Sequence, residues 1–251
     1  MKKFTRVALI LSAAMACIGL FCLIGSFAMG MSWSGMKQLA QNGKFKFYLG
    51  GIGIGSAEKT ESTERIDQDI KKLDIELGAG SLEIYYDDVD EIQIWQDEVV
   101  GFKSEMDGDT LEISGGTGVG VNNGGGSIVL TIPEGMKFEE VQLEVGAGEA
   151  WIDQLKVDYL NVEVGAGEAN FGYLDAKTMD AEVGVGELSA QLAGSESDYN
   201  YKIESGIGEI EIGDNSYGGF ARSQNITNPG AERSIDMECG IGSVSIYFEE
   251  F

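Results

Sequence analysis

"VEVGAGEANF", Val162 to Phe171, has near copies in "LEVGAGEAWI", Leu143 to Ile152, nineteen residues earlier, and in "AEVGVGELSA", Ala181 to Ala190, nineteen later. Each copy joins two alternating apolar-polar stretches through a glycine-x-glycine corner. The corner occurs six times, at Gly78/Gly80, Gly146/Gly148, Gly165/Gly167, Gly184/Gly186, Gly206/Gly208 and Gly240/Gly242. Spacings of 19, 19 and 22 in the central run match one supersecondary unit stacked on the next.

Side-chain phase refines this reading. In "LEVGAGEAWI", Leu143, Val145 and Ala147 alternate as one face of a strand, whereas Ala150 and Ile152 fall on the opposite parity. The pattern places a slip at Gly148 and Glu149, where glycine tolerates a sharp bend or bulge. The same slip recurs in "IELGAGSLEI", "IESGIGEIEI" and "MECGIGSVSI". Each unit therefore reads as strand, corner, strand, then a polar turn such as "DAKT", Asp175 to Thr178. One unit cannot bury its apolar face alone, but stacked units share a core and pair backbones at about 4.8 Å per rung. The predicted fold is all-β, a β-solenoid or β-roll of stacked strand pairs about 30 Å long. The competing arrangement is an antiparallel meander with the corners as hairpin turns.

Residues 86–135 follow the repeat less closely. "DEIQIWQD", "DGDTLEISG" and "SIVLTIPEG" still alternate as strands, and Pro133 closes one of them. "GGTGVGVNNGGG", Gly115 to Gly126, reads as a loop; the glycines around Gly118 lack both the GxGxxG spacing and a following helix pattern expected of a phosphate site.

Charge limits the partners. Of 17 basic and 42 acidic residues, residues 61–251 hold ten basic and 41 acidic, so the region repels nucleic acid and anionic lipid. Cationic peptides and metal ions are compatible with it. The absence of histidine removes the usual general base near neutral pH and the commonest metal ligand. Cys17, Cys22 and Cys239 make no disulfide framework and read as small packing residues.

Val7 to Met31 carries no charge over 25 residues and follows Lys2, Lys3 and Arg6. It is long enough for a transmembrane helix. A cleavable signal peptide, with "SFA" at Ser26 to Ala28 as its cleavage site, is the competing reading. The expected organisation is a cytoplasmic tail (1–6), a membrane helix (7–31), a basic and glycine-rich linker (32–65) and an acidic repeat domain outside the membrane (66–251). Trp33 suits the outer interface. "GKFKFYLGGIGIGS", Gly43 to Ser56, reads as a short strand and linker or a surface-hugging basic segment.

Glutamates precede the corner at Glu76, Glu144, Glu163, Glu182, Glu204 and Glu238, and follow it at Glu149, Glu168, Glu187 and Glu209. Stacking would align them in two outward rows. Like charges at rung spacing repel by about 1 kcal/mol per pair even in water, which a polycation or divalent metal would relieve; a solvated face that blocks aggregation accounts for the same residues. Calcium-binding β-rolls carry an aspartate two residues beyond the last glycine, where this chain has Ala150, Ala169, Leu188 or Ile210. "YYDDVDE", Tyr85 to Glu91, clusters acids beside aromatics as a glycan-cleaving site does, and as a turn between strands does. No catalytic residue, cofactor site or metal ligand is assigned, and the chain is not expected to be an enzyme.

The N-terminal apolar segment, the "DGDTLEI" and "SIVLTIPEG" strands and the "VGAGEA" corners resemble the putative-adhesin β-strand-repeat family of bacterial envelope proteins. The resemblance covers about residues 66–251 and implies an adhesin-like binding or scaffold module, membrane-anchored and non-catalytic. The alternative is an envelope-stress sensor or regulatory subunit whose acidic domain detects cationic agents and which acts through a membrane-protein partner. "SIYFEEF" at the C-terminus shows no wall-sorting signal, so tethering is assigned to the N-terminal helix.

Overall fold

The computed structural model describes residues 47–49, 52–54, 61–116, 126–218 and 221–249. The chain divides into two units, residues 1–47 with 54–56 and residues 48–53 with 57–251. Strands β1 (Phe47–Leu49) and β2 (Ile52–Ile54) pair with each other. The other described strands lie in the second unit. They are β3 (Ser62–Ile66), β4 (Lys72–Leu77), β5 (Ser81–Asp87), β6 (Ile92–Asp97), β7 (Lys103–Asp107), β8 (Thr110–Gly115), β9 (Ser127–Pro133), β10 (Phe138–Val145) and β11 (Glu149–Val164). They continue with β12 (Glu168–Val183), β13 (Glu187–Ala193), β14 (Tyr199–Ser205), β15 (Glu209–Ile212), β16 (Asn215–Ser216), β17 (Arg222–Ile226), β18 (Arg233–Cys239) and β19 (Ser243–Glu249). All 17 belong to one open sheet, and the chain is all-β apart from a single 3-10 turn, Glu196–Asp198, among the described residues. No helix among the described residues is long and apolar enough to cross a membrane, and residues 7–31 lie outside them.

The repeat units pair in parallel, which rules out hairpins at the corners. Leu143 of β10 stands opposite Val162 of β11, and Val162 opposite Ala181 of β12, so each rung is the previous one displaced by 19 residues. Side chains of like character therefore stack. Val145, Val164 and Val183 form one buried row that Leu77 and Cys239 extend. Where one rung carries Phe171, its neighbour carries Ala190, so a small side chain stands beside the bulkiest one in a row otherwise of leucine and isoleucine.

Burial revises two expectations about the unit. The inward set runs Val141, Leu143 and Val145, then Ala150 and Ile152, while Ala147 is exposed. The phase slip thus falls at Gly146 and Ala147, and Ala147 belongs to the outer face rather than to the face of Leu143 and Val145. Second, "DAKT" is not a turn. β12 runs unbroken through it with Ala176 buried, and two adjacent outward residues, Lys177 and Thr178, shift the inward phase to Met179. β11 does the same at Asp153/Gln154 and Asp158/Tyr159. Each 16-residue strand therefore bends twice around the core without giving up its backbone pairing.

The order of the rungs departs from chain order at both ends. β18 and β19 lie between the β12/β13 rung and the β14/β15 rung, pairing in parallel with both. Likewise β4 and β5 lie between the β10/β11 rung and the rung made by β8 and β9. The outermost rungs are then covered by antiparallel strands, β7 on β8, β6 on β9 and β3 on β6 at one end, β17 on β14 and β16 on β15 at the other. The strands left at the edges, each paired on one side only, are short and polar: "STERI" in β3, "KSEMD" in β7, "RSQNI" in β17 and "NS" in β16. Such sequences blunt the sheet edges against further pairing.

Candidate binding face at the glycine corners

The corners stack one on another through their backbones. Gly165 N donates to Val145 O at 2.8 Å, Ala166 N to Gly146 O at 2.7 Å and Glu168 N to Gly148 O at 3.0 Å, and the same three bonds recur one rung on at Gly184, Val185 and Glu187. This close approach, more than backbone freedom, is why the positions are glycine. A Cβ added to Gly146, Gly165, Gly184, Gly206 or Gly240 would lie 2.6 to 2.8 Å from a carbonyl oxygen of the neighbouring corner. Only Gly80 among the corner glycines has a positive φ, of 118°.

The glutamates before the corner form one continuous row. In spatial order it runs Glu76, Glu144, Glu163, Glu182, Glu238, Glu204, each directly opposite the next, and Ser114 ends it. Burial, followed by the charges of Glu76 and Glu163, raises the carboxyl pKa of Glu144. Glu182 is raised by burial and by Glu238 and Glu163. The row after the corner is shorter. Glu149, Glu168 and Glu187 are contiguous, but Ser243 separates Glu187 from Glu209, and Ser81 lies beyond Glu149. The expected second row is thus broken, because β19 is inserted between β13 and β15.

Between the two rows lies a third that the sequence pattern did not assign outward. The residue between the glycines is Ala79, Ala147, Ala166, Val185, Ile241 and Ile207 in successive rungs. Val185 is 62% exposed, Ile241 61% and Ile207 67%. A shallow groove of about 310 Å³ runs between Ala147, Ala166 and Val185 on one side and Glu149, Glu168 and Glu187 on the other. The parity shared by Val145 and Ala147 concealed this row; the signal available was an apolar residue fixed between two glycines and two acids in four of the six corners.

Compensating cations sit toward the other end of the strands. Lys72 pairs with Glu140 at 2.8 Å, Lys137 and Lys177 with Asp158 at 2.6 and 2.7 Å, Lys202 with Asp236 at 2.6 Å, and Arg233 with Asp175 at 2.9 Å. Hydrogen bonds from these cations lower the pKa of Glu140 and Asp158. Lys202 also reaches Glu204, the last member of the first row, at 3.7 Å. Arg233 lies 5.5 Å from the ring centre of buried Tyr199 and donates to its hydroxyl at 2.9 Å, tying the inserted β18 to β12 and β14.

The remaining candidates fall in place as follows. Ala150, Ala169, Leu188 and Ile210, where a calcium β-roll has its aspartate, are all buried core residues, so the corner offers no ligand there. Among the described residues no group of three acidic or cysteine side chains is arranged to hold a metal ion. "YYDDVDE" is the end of β5 and the turn into β6: Val89 N donates to Asp87 O at 2.8 Å, and Tyr85 donates to Glu83. Cys239 is buried in the row before the corner, and burial raises its thiol pKa. Residues 117–125, around Gly118, lie outside the described residues.

No family model matches the chain, and no curated protein matches it. Solved structures do resemble it. One is a "putative cell adhesion protein" from Clostridium sporogenes, 20% identical over 76% of this chain and 100% of that one, with a TM-score of 0.49. Another is a "putative adhesin" from Bacteroides fragilis, 13% identical over 77% and 99%, with a TM-score of 0.34. A "putative lipid binding protein" from Parabacteroides distasonis is 15% identical over 74% and 96%, with a TM-score of 0.27.

Proposed function

We propose that the chain is a membrane-anchored, extracytoplasmic β-solenoid that serves the bacterial cell envelope as a non-catalytic, adhesin-like binding or scaffold module. The observation that carries this reading is the unbroken row of six glutamates in register across six rungs. A repetitive outward face suits an extended partner engaged by many weak, equivalent contacts. Two of the similar structures bear adhesion names of their own. Residues 7–31 are the proposed anchor, with the N-terminus in the cytoplasm and the repeat domain outside.

The test is cross-linking of the full-length chain in intact envelopes, followed by affinity capture. Recovery of wall or surface material in a manner lost on neutralising the glutamate row supports the module. Recovery of one stoichiometric transmembrane protein, with no wall material, replaces it by the sensor alternative.

A further inference from the structure

The three large aliphatic residues Val185, Ile241 and Ile207 occupy adjacent rungs, joined through Ile241 N to Gly184 O at 2.8 Å and Ile207 N to Gly240 O at 2.7 Å. Single exposed aliphatics are ordinary on a protein surface. Three in line, each more than 60% exposed and contributing nothing to the core, are not. Ala166, Ala147 and Ala79 continue the line in the opposite direction, so it crosses five rung intervals, about 24 Å.

Acid flanks this line on both sides. Every corner reads acid, core residue, glycine, apolar residue, glycine, and then glutamate in four of the six and serine at Ser81 and Ser243. The flanking rows are five residues apart along the chain, at most about 18 Å. Cations of the fold are mostly committed elsewhere, with Lys202 alone reaching a member of the first row in the ion pairs described.

This geometry excludes most occupants. A second copy docked corner to corner would set glutamate rows against glutamate rows. Anionic lipid and nucleic acid are repelled for the same reason. An added β-strand finds no open backbone here, because the corner amides already bond from rung to rung. What fits is an apolar stripe bordered on both sides by positive charge. A helix of about 16 residues spans 24 Å, and its diameter of about 10–12 Å leaves lysine or arginine side chains within reach of both rows.

We propose that the corner face docks a basic amphipathic helix, its apolar stripe on Val185, Ile241 and Ile207 and its cations on the flanking glutamates. The inference rests on reading the acidic face as a binding surface and names the chemistry of its partner. Selectivity for a helix comes from the aliphatic line; the glutamates alone would attract any polycation.

The probe is an 18-residue leucine-lysine peptide with its leucines at helical spacing, compared with a scrambled peptide of identical composition. Binding to the full-length chain in non-ionic detergent is read by fluorescence anisotropy. The amphipathic peptide should bind at least ~10-fold more tightly than the scrambled one, and the triple variant V185S/I241S/I207S should lose that margin, by about 10- to 100-fold, at unchanged melting temperature. E182Q/E187Q/E209Q/E238Q should weaken both peptides together and flatten the salt dependence. Equal binding of the two peptides, undetectable binding of the amphipathic one, or an unchanged triple variant at equal melting temperature overturns the proposal. Should the serine variant fail to fold, the peptide comparison on the wild-type chain decides alone. Envelope capture that persists when the peptide arm fails removes this inference and leaves the envelope-module reading; helix-selective binding without envelope capture does the reverse.

Discussion

At Gly148 an added Cβ would lie 2.6 Å from Gly80 O and 2.9 Å from Leu77 Cδ2. The Gly148→Ala variant therefore has to push adjacent rungs apart and weaken the bond from Glu149 N to Gly80 O, now 2.9 Å. Overpacking and the strained hydrogen bond together should cost about 2–4 kcal/mol. Gly230 provides the contrast: its φ is 89°, but nothing lies within 4 Å of an added Cβ, so Gly230→Ala should cost only about 1 kcal/mol of backbone strain. Urea titration of both variants with constant m-value measures the difference; equal losses would mean that the corner glycines serve backbone freedom rather than close approach. This distinction is one the sequence does not carry. A glycine required for approach and a glycine required for φ are the same letter, and only the register of the neighbouring rung tells them apart.

The elements extend the same logic. Because β10, β11 and β12 repeat in steps of 19, deletion of residues 157–175 joins Lys156 to Ala176 and leaves every inward side chain facing inward. Deletion of residues 157–174 moves the following strand by one position and turns its core face toward solvent. The first variant should unfold in one cooperative transition with an m-value reduced in proportion to its length. The second should lack a cooperative transition, as followed by circular dichroism in denaturant. Cooperative unfolding of both would show that register is not what specifies the stack. The 19-residue step, the existence of a phase slip at each corner and the first glutamate row were legible because they depend on local spacing, whereas the slip's position at Gly146 and Ala147 was not, because Val145 and Ala147 share a parity. The insertion of β18 and β19 beside β12 and β13 was not: the step of 34 residues from Gly206 to Gly240 takes in the extra strands β16 and β17, and nothing local states which side of β14 the next rung joins. Arg233, which bonds Asp175 and Tyr199, records that choice only once the strands are in place.

Across the whole chain, acid outweighs base by 42 residues to 17, and the unevenness of their placement fixes how stability responds to pH. Glu144 and Glu182 have folded pKa values raised above the ordinary 4.5 by burial and neighbouring carboxylates. In that interval the native state binds more protons than the unfolded chain, so stability is greatest below 4.5 and falls as pH rises through the folded values. Glu140 and Asp158 behave oppositely. Lysine partners depress them below 4.5 and 3.8 respectively, so their contribution is present above those values and is lost as pH drops through the folded ones. The two groups together predict that the protein stabilises on mild acidification from neutrality toward 4.5 and loses stability again below that, first through Glu140 and then, below about 3.8, through Asp158. The double variant E144Q/E182Q should be more stable than wild type at pH 7, by roughly 0.3–1 kcal/mol for each like-charge contact relieved, and should converge with it near pH 4.5. Added salt should reproduce some of the gain by screening the row. Melting curves at several pH values and two ionic strengths check all three expectations. A wild-type profile that declines monotonically from pH 7 downward would mean that lysine-paired acids such as Glu140 and Asp158, rather than the glutamate row at the corners, govern the electrostatics of the fold.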